Sequence, residues 1–80
     1  MATKRVHLTF NKQLVREPVL WEIGQEFGLV MNIRRADVQA DMGWVELQME
    51  GDEDKLNLAI EAFQKRGVRV DPIEVQAVTG

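Results

Sequence analysis

Phe27-Gly28-Leu29-Val30-Met31-Asn32-Ile33-Arg34-Arg35 is the stretch whose reading decides the fold. A glycine directly after an aromatic residue suits the left-handed position that ends a helix. The next residues alternate. Leu29, Met31 and Ile33 take one phase and Val30, Asn32 and Arg34 the other, which predicts a strand with its first set turned to the core. Asn32 then looks away from the core. After Arg35 the small or apolar phase moves by one residue, to Ala36 and Val38. A β-bulge at Arg34-Arg35 accounts for the slip, because one extra residue re-aims the side chains beyond it.

On the N-terminal side of this stretch, Pro18 suits the first helical position. Val19, Leu20, Ile23 and Phe27 fall on one arc of a helix, with Trp21 off it. Gly24 inside that helix costs about 1 kcal/mol relative to alanine, which a close approach to the sheet would justify. Residues 5–10 alternate as a strand, Val6, Leu8 and Phe10 inward and Arg5, His7 and Thr9 outward, and the polar Asn11-Lys12-Gln13 ends it.

On the C-terminal side, Asp41-Met42-Gly43 reads as a hairpin loop. A third strand over 44–50 turns Val45, Leu47 and Met49 inward and Trp44, Glu46, Gln48 and Glu50 outward. Gly51 breaks the chain and Asp52 caps a second helix, with Glu53 and Asp54 at its positive end. Leu56, Ala59, Ile60 and Phe63 form its apolar stripe, and Leu58 points away. Lys65-Arg66-Gly67 is a helix ending. A last strand over 68–75 carries Pro72, which argues for a sheet edge, and residues 76–80 read as a loose tail.

The order strand, helix, strand, strand, helix, strand predicts an α+β, ferredoxin-like βαββαβ sandwich. Right-handed crossovers give a four-stranded antiparallel sheet of order 4-1-3-2 with both helices on one face. Residues 1–80 are expected to form a single domain with its core over about 5–75. The 80 residues carry no cysteine, which excludes disulfides, thiolate metal sites and cysteine nucleophiles. The net charge of −3 argues against nucleic-acid binding, which needs a clustered basic face. Met1-Ala2-Thr3-Lys4-Arg5 leads into a strand rather than a secretory leader, and no apolar run reaches membrane-spanning length. A cytoplasmic location is the expectation.

The chemistry points to binding rather than catalysis. His7, the only histidine, lies on an outward phase without a partner that would make it a general base. Glu50, Asp52, Glu53 and Asp54 lack calcium-loop spacing and read as helix capping. No catalytic residue, metal or cofactor is expected. Trp44, Trp21, Leu58 and His7 are the outward residues expected at an interface, with Val30 and Thr9 on the same open sheet face. Asn32 has the donors and acceptors to fix a small polar ligand. Arg34 and Arg35 suit either an anion or a solvated surface.

Phe27-Gly28-Leu29-Val30-Met31-Asn32-Ile33 resembles the signature of the NIL domain family, named for an Asn-Ile-Leu tripeptide. Pro18-Val19-Leu20, Gly43, Gly51, Ala59-Ile60 and Gly67-Val68-Arg69-Val70 agree in order and spacing, so the resemblance covers residues 6–73. The family is similar in fold to ACT regulatory domains. It is best known as the C-terminal domain of methionine-importer ATPases, where it dimerises and binds methionine, and it also occurs fused to ferredoxin-type domains. The resemblance implies a non-catalytic, stand-alone regulatory domain, homodimeric, that binds methionine or a related amino acid. Asn32, aligned with the motif asparagine, would contact that ligand, and Val30, Arg34 and Arg35 beside it in the strand are the other residues expected at the ligand site. Arg34 stands where the motif has leucine, and an arginine suits an anion or an acidic partner better than a thioether. The alternative is a pure interaction module that docks on a transporter or an iron–sulfur protein and takes no small ligand.

Overall fold

Two central strands define the architecture. β1 (Ala2–Phe10) buries Val6, Leu8 and Phe10, and β3 (Gly43–Gly51) buries alternate residues from Gly43 to Gly51. The computed structural model describes residues 2–11 and 18–73. The remaining elements are α1 (Val19–Phe27), β2 (Val30–Val38), α2 (Glu53–Lys65) and β4 (Arg69–Pro72). The sheet order is β2-β3-β1-β4 with every pairing antiparallel, which is the expected 4-1-3-2 arrangement. Both helices cover one face.

The core lies between that face and the helices. Val19 and Ile23 descend from α1, and Leu56, Ala59 and Phe63 from α2. Leu29 and Val68 enter from the junctions that lead into β2 and β4. No polar or charged residue is buried among the described residues. None of their helices is long and apolar enough to cross a membrane.

Local chemistry sets the boundaries. Gly28 ends α1 in the left-handed region, at φ 64°, where a β-carbon is disfavoured. The N–H of Asp54 donates to Asp52 Oδ1 at 2.9 Å, which caps α2. Asp52→Ala should cost about 0.5–2 kcal/mol, read as a lower urea midpoint at unchanged slope; no change would remove the cap from the account.

Four expectations need correction. Pro18 is not the first helical residue. Its ψ of 56° is non-helical, and it flanks the helix while its carbonyl accepts from Glu22 N–H at 3.0 Å. Gly43 is not in the hairpin loop. It pairs with Val38 and Phe10 inside the sheet, and the turn spans residues 39–42, closed by Gln39 N–H to Met42 O at 2.8 Å. β4 is shorter than expected. It ends at Pro72, which has no N–H for the ladder, although Ile73 N–H still reaches Arg5 O at 3.0 Å. Residues 12–17 and 74–80, including the expected tail, lie outside the described residues.

Ile33 is the fourth. Its phase is as expected, since it pairs with Leu47 on the helix side, yet it is 53% exposed. The cause is a mismatch of lengths. Nine helical residues span about 14 Å, whereas nine strand residues span about 30 Å. The far half of β2, the edge strand, is therefore left uncovered on its helix side, while Val45 and Leu47 beside it in β3 stay buried.

Candidate functional site

β2 is an edge strand, and every residue from Asn32 to Val38 is exposed. A long edge with unpaired backbone groups invites another chain. The register shifts between Ile33 and Arg35, so the bulge expected at Arg34-Arg35 is present. Arg34 is the extra residue. On the open face, Val30 then opposes Glu50, Asn32 opposes Gln48, Arg35 opposes Glu46 and Asp37 opposes Trp44. On the helix side, Met31, Ile33, Ala36 and Val38 oppose Met49, Leu47, Val45 and Gly43.

The open face around Asn32 is polar. Arg5 Nε donates to Gln48 Oε1 at 3.0 Å, and Gln48 Nε2 donates to Glu50 Oε1 at 3.2 Å. The Gln48 amide is thus engaged at both ends. The neighbouring Asn32 amide makes no side-chain hydrogen bond among the described residues. Further along, the rings of His7 and Trp44 stack, with centroids 5.2 Å apart and planes 19° off parallel. Arg69 Nε and Asp71 Oδ2 pair at 3.2 Å at the far edge.

The helix side of β2 carries a groove of about 210 Å³, lined by Leu20, Trp21, Gly24 and Gln25 of α1 and by Leu29, Met31 and Ile33. Gly24 makes room for it. A β-carbon there would meet Met31 Cγ at 3.0 Å, so the close approach that would justify a helical glycine exists. Sites that enclose a drug-sized ligand run to about 300–1,000 Å³. This groove is smaller and open, so alone it can hold one side of a ligand. A wider depression of about 410 Å³ between the helices is bordered by the Arg66–Glu22 ion pair and by Glu26 and Lys65.

Val30, Asn32 and Arg35 share the open face of β2, with Arg34 at the bulge beside them. The groove lies on the opposite face of the same strand. The residues expected at an interface are divided among three surfaces. His7 and Trp44 sit together on the open face, and Trp21, 66% exposed, borders the groove. Leu58 is exposed on α2, apart from both. The expected apolar cluster on the open face is therefore reduced to the His7–Trp44 pair and, apart from it opposite Glu50, the exposed Val30. Leu20, Met31 and Ile33 were not picked out as site residues from the sequence; the helical Gly24 was their one trace. No group of three or more His, Cys, Asp or Glu residues among those described is placed to hold a metal ion.

No curated protein matches this sequence. A C-terminal domain of an ABC transporter ATP-binding protein from Enterococcus faecalis superposes with a TM-score of 0.80 at 26% identity, over 91% of this chain and 86% of that one. The de novo designed protein Ferredog-Diesel superposes at 0.55 with 20% identity, over 88% of this chain and 84% of the other, a likeness of fold alone. Residues 4–72 match the NIL domain, a span that takes in both helices, β2, β3 and β4 and all but the first two residues of β1, and the chain belongs to the NIL domain family.

Proposed function

We propose that this NIL domain is a regulatory binding module that works as a homodimer and takes an amino-acid-like ligand, methionine or a relative, along β2. The observation that carries this reading is β2 itself. It is an exposed edge with an unengaged amide at Asn32 on one face and an apolar groove on the other. The amide has donors and acceptors for an ammonium or carboxylate group, and the Leu20–Met31–Ile33 groove suits an aliphatic side chain. A second protomer would supply the wall that the groove lacks. Arg34 and Arg35 bias the site toward ligands with an additional anionic group. The likeness to a transporter ATP-binding protein's C-terminal domain supports a transporter as the class of partner regulated.

Titration with methionine and related amino acids, followed by amide NMR, tests the reading. Shifts confined to Trp21, Asn32, Ile33 and their neighbours are expected at millimolar ligand. An unchanged spectrum across the series would remove the ligand from the proposal. One observation favours a second reading, docking on a transporter or iron–sulfur protein without a small ligand. Trp21 and Ile33, 66% and 53% exposed, border one groove. A fold-preserving Trp21→Ala that loses a captured transporter or ferredoxin while the spectrum stays unmoved by amino acids would select it.

A further inference from the structure

Two methionines face each other across the outer pair of strands. Met31 of β2 opposes Met49 of β3, and both lie on the helix side of the sheet. They differ in burial. Met49 is 0% exposed within the core, whereas Met31 is half-buried and lines the groove beside α1. Because β2 is the edge strand, Met49 lies behind Met31 when approached from that edge. Gly24 seats Met31. Its Cγ and Cε would stand 3.0 and 3.7 Å from a β-carbon at Gly24, so the thioether that joins them lies close against the α1 backbone. Met42, in the turn at the opposite end of the hairpin, is 51% exposed.

We propose that Met31 is a reversible oxidation site for peroxides, and that its conversion to the sulfoxide opens the seam between α1 and β2 and uncovers Met49 to the same reaction. A sulfur lone pair forms an S–O bond to one peroxide oxygen while the O–O bond breaks. The proton on that oxygen passes to the departing one, which leaves as water. The thioether is oxidised by two electrons and the peroxide is reduced. The product replaces a flexible apolar side chain with a polar one, a change that disrupts apolar packing. The new oxygen needs a hydrogen-bond donor, and among the side chains lining the groove only Gln25 and the Trp21 indole carry one. Leu20, Leu29 and Ile33 offer none, so the sulfoxide turns outward to water and leaves its place over Gly24 empty. This site goes beyond the amino-acid reading and does not need it, since what changes is packing within the chain.

Hydrogen peroxide applied to the full chain, with peptide mass mapping over time, tests it. Met42 should gain oxygen first, Met31 next, and Met49 only after Met31. Protein oxidised at Met31 should show a folding constant lower by about tenfold in urea, as an imperfectly paired polar group in an apolar seat would give. Its amide NMR shifts should gather at Gly24, Leu29 and Ile33. Methionine sulfoxide reductase with a dithiol should reverse both effects. In Met31→Leu, which keeps an apolar side chain over Gly24, Met49 should stay reduced through the same exposure and stability should not fall. Met1 and Met42 are common to both proteins, so their oxidation cancels in the comparison. Should Met31→Leu fail to fold, Met49→Leu carries the test, because Met31 should still oxidise there and still loosen the seam. A Met49 that oxidises as fast in Met31→Leu as in the wild type, or a Met31 that resists peroxide for as long as Met49, overturns the proposal. So does a Met31 sulfoxide that leaves the urea midpoint where it was.

Discussion

Replacing Phe63 by alanine is expected to lower the unfolding free energy by about 3–5 kcal/mol. Phe63 is the largest of the fully buried side chains, at 0% exposure, and α2 holds it within the core cluster. The loss combines the transfer energy of the ring with the cavity it leaves, which a thin core has little freedom to close. At roughly 0.05–0.15 kcal/mol per residue, a chain of this size has about 4–12 kcal/mol in total, so one substitution removes a large share. Urea unfolding followed by far-UV circular dichroism would read the effect as a strongly lowered midpoint. A loss below about 1 kcal/mol is what an exposed site gives, and would contradict the packing described.

The second large effect is expected at Gly51, the last residue of β3. A β-carbon built there would lie 2.5 Å from Leu29 Cδ2, and the backbone φ of +157° disfavours a side chain as well. Leu29 is 8% exposed and held in the core, so it cannot swing aside without cost. Gly51→Ala should therefore destabilise by about 1–3 kcal/mol, the usual range for overpacking. Leu29→Ala alone should cost about 2–5 kcal/mol. Together they should cost less than the two separate losses added, because the new methyl enters space that the leucine vacates. Strict additivity in the double-mutant cycle would show that the two positions do not meet.

How much of this was legible in the sequence depended on what each pattern reports. Alternation in Val6, Leu8 and Phe10, and in Val45, Leu47 and Met49, records a buried face directly. Those strands read correctly because helices cover them. The step from Ile33 to Ala36 carried enough information to locate the bulge. The same alternation placed Ile33 on the helix side but said nothing about whether a helix reaches that far. That depends on the length of α1 set against the length of β2, a three-dimensional relation. Gly43 was misplaced because a glycine beside a turn and a glycine inside a strand's first pair look alike in sequence. At the candidate site, the outward phase of Asn32 was legible. The division of Trp21, Trp44 and Leu58 among separate surfaces was not, since it depends on how α1, β3 and α2 are arranged around the sheet.

The uncovered far half of β2 separates two tasks that small proteins usually combine. Residues 34–38 stabilise nothing in the interior, so substitution there is nearly free of consequence for folding. Phe63, Leu47 and Ile23, in contrast, are fixed by the need to fold at all. Whom the molecule meets can thus drift, through changes at a handful of uncovered positions, while the scaffold that presents them stays the same.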